Sequence, residues 1–269
     1  MSEQTRPEPF PALSALYPSL GLVVRAGDLT LRPLADQDLP EYAALIRRPI
    51  FEDPASPQVF PWYRAEPETR VREALRFQWT LRSGISPERW TLAFGVWAGG
   101  RLIGAQDVSA ERFGERRTVT SGSWLTLDAH GNGYGRLMRQ AMLVLAFDHL
   151  GARRAESAAV IGNAPSYGVS RACGYIDNGT EISTIPGSHA EQQRFLVTPE
   201  LLRRPDVPVE VEGLTPALRE MLGYADADGI GARLERWCQG GALGGVERSH
   251  DLLGGRPDIE AVRPQLGDL

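Results

Sequence analysis

The chain contains no lysine; all 29 of its basic residues are arginine. That absence excludes a P-loop lysine, a Schiff-base lysine and a kinase-type lysine, together with the chemistries built on them. Cysteine is nearly absent too. Cys173 and Cys238 lie far apart and form no CxxC, which argues against a disulfide framework or a cysteine-rich zinc site. The four histidines, His130, His149, His189 and His250, make no HExxH, so no metal is expected. No stretch approaches the ~20 apolar residues needed to cross a bilayer. The opening "MSEQTRPEPFPALSALYPSLG" lacks the basic region and apolar core of a secretory signal. A cytoplasmic protein without membrane contact is the expectation. Strong charge of one sign is also missing: the sum is −5, with 12 acidic residues against 6 arginines in 206–269 and 22 against 23 elsewhere. Neither part is basic enough for non-specific nucleic-acid binding, and no nucleic-acid partner is expected.

What is present is a mixture of two periodicities. Residues 1–27 are proline-rich and read as a surface-draped arm. "LTLRPL" alternates as a strand, and "DQDLPEYAALIRR" follows as a helix with Asp36 or Asp38 as its cap. The proline-rich aromatic stretch 49–66 is a loop, of the kind that carries specificity. Residues 67–84 form a second helix with Val71, Leu75 and Gln78/Trp79 on one stripe, stopped by Gly84. From Trp90 the period becomes two: "WTLAFGVWA" and "RLIGAQDV" are strands joined by a Gly99-Gly100 turn. Residues 118–127 read as a further strand and 134–150 as a helix burying Leu137, Met138, Ala141, Met142 and Leu145, with Gly151 beyond its end. A strand over 153–161, a short helix ended by Gly174 and two closing strands complete the order. It lacks the regular βαβα alternation of a doubly wound sheet. The expected class is α/β (α+β): a mixed, mostly antiparallel sheet flanked by helices, with one parallel crossover and a C-terminal extension.

The stretch "HGNGYG", His130 to Gly135, places three glycines directly before the strongest helix. A strand, a GxGxG turn and a helix N-terminus collect unpaired backbone N–H groups at the positive end of a helix dipole, which suits an anion. Gly133 and Gly135 would let a phosphate approach the backbone, with Arg136 and Arg139 nearby as added positive charge. The bland alternative is a tight turn that binds nothing. A dinucleotide-binding reading wants GxGxxG and an acid about 20 residues on. Arg136 occupies the place of the third glycine, Glu156 stands near the acid's position, and three or four strands precede the glycines rather than one.

"SWLTLDAHGNGYGRLMRQAMLVLAFDHLGARRAESAAVIGNAPSYGVSRACGY" resembles the acyl-CoA core of the GNAT N-acetyltransferase superfamily, in the branch of ribosomal-protein alanine acetyltransferases. The family's [QR]xxGx[GA] loop is matched by Gly133 and Gly135, with His130 where Gln or Arg is usual. Asn163, Ser166 and Gly174-Tyr175 follow the spacing of the family's N-x-x-S … G-F. The likeness spans about residues 29–200, and divides the chain into an arm (1–27), an acyltransferase domain (28–204) and an acidic extension (205–269).

The resemblance implies an acyl-CoA, acetyl-CoA foremost, as co-substrate and direct attack by an amine on the thioester. It places Leu125, Thr126, Leu127, His130, Gly131, Asn132, Gly133, Tyr134, Gly135, Arg136, Asn163, Ser166 and Ser170 along the CoA, with a backbone N–H near Leu125 polarising the thioester oxygen. Ser166 is the implied proton donor to the departing thiolate, with Tyr167 as its substitute. A helix-capping role for Ser166 is the structural alternative. Asp107, Glu111, Asp128 or a water relay could take the amine's proton. "FED" (51–53) and Trp62-Tyr63 are candidates to shape the acceptor pocket. The acceptor is a small-molecule amine or a protein N-terminus. A non-catalytic acyl-CoA sensor and a nicotinamide-dependent oxidoreductase are the competing functions.

The extension carries two helix signals, Thr215-Pro216 opening "LTPALREML" and Ile230, Leu234 and Trp237 on one stripe. It is too poor in apolar residues to fold alone and is expected to dock on its own core or, as a homodimer, on a second copy.

Overall fold

The computed structural model describes residues 12–51, 63, 65–183 and 190–224. The chain divides into two compact units, Met1–Asp226 and Ala227–Leu269, and every described residue lies in the first. Glu52, Asp53, Trp62, Cys238 and the helical stripe expected from Ile230 to Trp237 fall outside the described residues.

The strands are β1 (Val23–Ala26), β2 (Leu29–Arg32), β3 (Arg89–Ala98), β4 (Arg101–Glu111), β5 (Thr118–Thr120), β6 (Ser123–Leu125), β7 (Arg154–Val160), β8 (Ile176–Ile182), β9 (Glu191–Val197) and β10 (Val209–Glu212). They form one sheet in the order β10-β1-β2-β3-β4-β5-β7-β9-β8, and β6 pairs with β4 alone. Every described pair is antiparallel except β5 with β7, so the sheet is the mixed, mostly antiparallel one expected. The helices are α1 (Leu13–Leu16), α2 (Leu39–Ile46), α3 (Pro67–Ser83), α4 (Phe113–Arg116), α5 (Tyr134–Val144), α6 (Ala164–Ala172) and α7 (Pro216–Met221).

Alternation in the long hairpin assigns the two faces. Val96 and Ile103 join a core with α5, whereas their neighbours Trp97 and Leu102 join a second core with Tyr42, Leu45 and Ile46 of α2 and Val71 and Ala74 of α3. The Gly99-Gly100 turn has both φ angles positive, 54° and 81°, which matches the strand twist and suits glycine. Buried Gln78 of α3 donates to the Tyr42 hydroxyl at 3.3 Å, while Trp79 is 48% exposed, so the α3 stripe runs through Val71, Ala74 and Gln78. Helix α5 is the crossover between β5 and β7. It is buried on nearly every side from Met138 to Val144 and widens into a π turn over Leu145–His149.

Three boundaries differ from the sequence reading. Residues 23–26 of the supposed arm are a strand, because Val24 and Ala26 pack into the α5-side core. The strand expected over 118–127 is broken into β5 and β6 at Ser121-Gly122. There the Gly122 N–H is taken by the Asp107 carboxylate at 2.8 Å instead of by a neighbouring strand. The extension expected from 205 onward begins inside the domain: β10 pairs with β1, and Leu218, Leu222 and Tyr224 enter the same core. The indole N–H of buried Trp90 donates to the Leu222 carbonyl at 3.0 Å, and Phe113 stacks edge-on between Trp90 and Tyr224.

Leu218 is fully buried. Leu218→Ala is expected to cost about 2–5 kcal/mol of unfolding free energy, as for other buried leucines. Chemical denaturation checks this, and a loss below about 0.5 kcal/mol, the range of surface substitutions, would return residue 218 to a loosely docked extension.

Candidate functional site

Helix α5 starts in the open. Its N-cap is Gly133, with φ 79°, and no side chain caps it among the described residues. By contrast, α6 and α7 are capped by Asn163 and Thr215, whose side chains accept from the N–H groups of Ser166 and Leu218. Gly131, Asn132 and Gly133 are exposed, and the N–H groups of the first turn of α5 point outward without an intrahelical acceptor. Gly131 (φ 76°) and Gly133 need glycine for their backbone conformation, and a Cβ at either would meet only open space. Gly135 has a different reason: a Cβ there would lie 3.3 Å from Val169 of α6 and 3.8 Å from Leu125. Its smallness lets α5, α6 and the end of β6 converge. The turn is braced from within. A ring nitrogen of His130 lies 3.2 Å from the Leu125 carbonyl oxygen, and the Asn132 amide donates to the His130 carbonyl at 3.0 Å. The Tyr134 hydroxyl donates to Asp28 at 3.1 Å.

The second component is a slot between strands. The last described backbone bond joining the β5 end to β7 runs from Ser121 N–H to the Glu156 carbonyl at 3.2 Å. Beyond it β6 stays on β4, with Leu125 opposite Gly104, and does not pair with β7. Thr126 N–H and Asp107 N–H bond across to Ile103 and Gly122, so by ladder alternation the N–H groups of Ser123 and Leu125 point away from β4, into the gap. Leu125 and Thr126 are buried, and Leu127 opens a short 3-10 turn leading to the glycines.

Helix α6 forms the far wall. Asn163 caps it, and its side chain accepts from Ser166 N–H at 3.1 Å. The Ser166 hydroxyl is half-exposed and makes no bond among the described residues. The Tyr167 ring packs edge-on against Phe195 at 5.2 Å. Ser170 departs from the expected set: it is 1% exposed, and its hydroxyl has no hydrogen-bond partner among the described residues.

The candidate bases separate clearly. Glu111 sits at the far end of β4, paired with Arg89 at 3.1 Å and Arg116 at 3.7 Å. Asp128 is held by Arg101 at 2.6 Å and Arg48 at 3.5 Å; the hydrogen bond from Arg101 leads in pulling its pKa down to about 2, too weak for a base. Asp107 lies against Gly122, where the strand breaks. Burial pushes its pKa up to about 6, against the opposing pull of the Gly122 N–H and the Arg139 charge. Glu156 pairs with Arg154 and Arg194 within the sheet, not at a ribose-binding position. Arg136 is exposed, 4.0 Å from Asp206, but Arg139 is not the phosphate-side charge expected: it is 4% exposed, turned beneath the gap. Its place one residue beyond Met138, inside the apolar stretch of the helix, was the available signal. Tyr63 is likewise no pocket rim; it is buried against Phe51 and its hydroxyl accepts from Ile50 N–H at 3.3 Å. Among the described residues no group of three or more His, Cys, Asp or Glu could hold a metal.

Residues 28–176 match the family model described as "Acetyltransferase (GNAT) domain". Among solved structures, the chain is similar to Mycobacterium smegmatis RimJ in complex with a CoA-disulfide, at 19% identity and TM-score 0.53, over 66% of this chain and 88% of that one. It is also similar to RimL, a ribosomal L7/L12 α-N-protein acetyltransferase in complex with coenzyme A, at 14% and 0.54, over 65% and 97%. A ribosomal-protein-S5-alanine acetyltransferase from Vibrio fischeri matches at 17% and 0.52, over 67% and 98%.

Two outcomes follow from the geometry. Gly135→Ala is expected to destabilise the protein, and Val169→Ala to relieve part of that loss. A double-mutant cycle by denaturation should give a coupling of about 0.5–3 kcal/mol, as for residues in contact; additivity would mean that the two helices do not press on each other there. For Asp107, the folded protein binds the proton more tightly than the unfolded chain between its ordinary pKa of 3.8 and about 6. Stability contributed by this group is therefore present below that window and lost as pH rises through it. Unfolding free energies of the wild type and Asp107→Asn, compared at pH 4 and pH 7, should show the variant losing less on going up. Parallel losses would place the Asp107 carboxyl at its ordinary pKa.

Proposed function

Because the chain belongs to the GNAT acetyltransferase family, we propose that it is an acyl-CoA-dependent N-acyltransferase, acetylating a primary amine of a small molecule or a protein N-terminus by direct attack in a ternary complex. One observation carries this reading: the uncapped, exposed N-terminus of α5 stands at the end of a strand whose N–H edge opens into a gap. The N–H groups of Gly131 to Arg136 would hold the diphosphate, where their partial positive charge and the helix dipole favour an anion. The edge of Ser123–Leu127 that faces the gap would pair with the pantetheine amides as an added strand, and Asn163 and the α6 N-terminus would flank it. The co-substrate supplies an activated thioester.

The protein's residues then have three tasks. The Leu125 N–H donates to the thioester oxygen as it gains charge; one such donor is typically worth about 2.7–4 kcal/mol of barrier. The Ser166 hydroxyl, without a bond among the described residues, delivers a proton to the departing sulfur, and Tyr167 stands next to it. Asp107, whose pKa lies near 6, receives the proton released by the amine. Asp107 replaces the undifferentiated set of three carboxylates, because the other two are neutralised by arginine.

Thermal unfolding with acetyl-CoA or succinyl-CoA, and release of free thiol in the presence of candidate amines, test the reading. A ligand at 100 times its Kd should add about 2.7 kcal/mol of stability. Ser166→Ala should lower kcat by about 10²–10⁴-fold with little change in acyl-CoA affinity, the signature of a proton donor. Binding without thiol release for any amine would favour the non-catalytic sensor. No response to any acyl-CoA would remove the proposal.

A further inference from the structure

Arg139 is a buried cation in an unusual setting. Among the described residues no carboxylate lies within 4.0 Å of it, although 16 other ion pairs are formed. One guanidinium nitrogen donates to Ser123 Oγ of β6 at 2.9 Å and another to Ser157 Oγ of β7 at 3.2 Å, while Nε meets no acceptor among the described residues. The Tyr175 ring lies 5.9 Å from the guanidinium carbon, and its hydroxyl interacts with Arg139 and Ser121. Burying a guanidinium without a carboxylate is costly, and an apolar side chain of similar volume is often as stable or more so. The Asp107 charge acts on the guanidinium from beyond contact distance, and the remaining cost calls for a role besides stability.

The position supplies the reason. Ser121 N–H to the Glu156 carbonyl is the last backbone bond between the two strands, and Ser157 is the next residue of β7. The guanidinium thus spans the strands where their own pairing ends. It is planar and offers donors on two edges, a shape suited to bridging two fixed acceptors. Each serine hydroxyl accepts from the cation and so keeps its own hydrogen free to donate. We propose that Arg139 is a positioning residue for acyl transfer: it wedges β6 and β7 apart at a fixed width, so that the N–H groups of Ser123 and Leu125 remain open to the acyl-pantetheine arm. The proposal rests on the acyl-CoA reading above for the identity of the arm, but the wedge itself is a property of the protein alone. The groups that face Arg139 are Asp107 of β4, and Cys173 and Tyr175 after α6.

The test uses Arg139→Met, with Ser123→Ala/Ser157→Ala as a second route that keeps the arginine but removes the two serine acceptors that tie it to β6 and β7. In the wild type without ligand, the amides of Ser123 and Leu125 should exchange rapidly with solvent. In the variants the strands should close toward each other and these two amides gain protection of tenfold or more, with amides elsewhere in the sheet unchanged. Binding gives the second readout. Acetyl-CoA should bind about tenfold more weakly to the variants, whereas adenosine 3′,5′-bisphosphate, which lacks the pantetheine, should bind as to the wild type. Turnover should fall by about 10²-fold, the scale of a misplacement near 1 Å. Weaker binding of both ligands would mean general destabilisation and would overturn the wedge, as would unchanged exchange together with unchanged acetyl-CoA binding. A wild type that binds neither ligand would remove the acyl-CoA reading instead, and the exchange of Ser123 and Leu125 would still decide the wedge.

Discussion

The candidate site depends on one constraint: a strand that must stop pairing with its neighbour while staying inside a sheet. β5 pairs with β7 for three residues, Thr118 to Thr120, and then the partnership ends. An ordinary sheet would not tolerate this, since every unpaired buried N–H carries a desolvation cost of about 1–3 kcal/mol. The break is held in place from both sides. On β4, Asp107 takes the Gly122 N–H, and Gln106 donates to the carbonyls of Asp107 and Gly122 at 2.8 and 2.9 Å. Underneath, Arg139 ties the two strands through serines. Side chains thus replace the backbone ladder over a few residues, and the N–H groups left over face the candidate site.

The glycine turn and the slot are parts of one construction. Gly135 has no side chain because Val169 and Leu125 meet there, which fixes α5 against α6 and both against the end of the broken strand. Gly131 and Gly133 have none because the turn needs positive φ. The same six-residue stretch therefore contains glycines for two unrelated reasons, steric and conformational. The openness of the helix N-terminus follows from the second.

Most of the fold was legible because period and punctuation agree along the chain. The hairpin at Gly99-Gly100, the α5 face and the cap at Thr215 all lie where local chemistry places them, whereas α6 is capped by Asn163 and not by Ser166. The break in 118–127 was not legible from local pattern, since it arises from Asp107, a residue more than ten positions upstream in another strand. The role of 209–224 escaped for a similar reason. "VEVE" alternates weakly and is mostly polar outward, and only its partner β1 gives it a place in the sheet. At the site, residue types pointed to the loop and to α6. Which carboxylate remained unpaired depended on where Arg48, Arg101 and Arg116 come to rest, and no spacing in the sequence encodes that. Arg139 was misplaced because helical periodicity tells only which side of α5 it occupies, and α5 has almost no solvent side.

The pairing of β1 with β10 bears on how the protein is made. Arg25 and Glu212, joined at 2.6 Å, are 187 positions apart, and the Trp90 indole waits 132 positions for the Leu222 carbonyl. Contacts of such long sequence separation are formed slowly, because a long loop must close before they contribute. During synthesis, at ~5–20 residues per second, β1 would stand as an unprotected sheet edge for roughly 10 seconds or more before β10 is available. An exposed edge strand is a template for pairing with another chain. The nascent polypeptide is thus vulnerable to aggregation late in its own translation, when the rest of the sheet is already in place and the β1 edge still awaits β10.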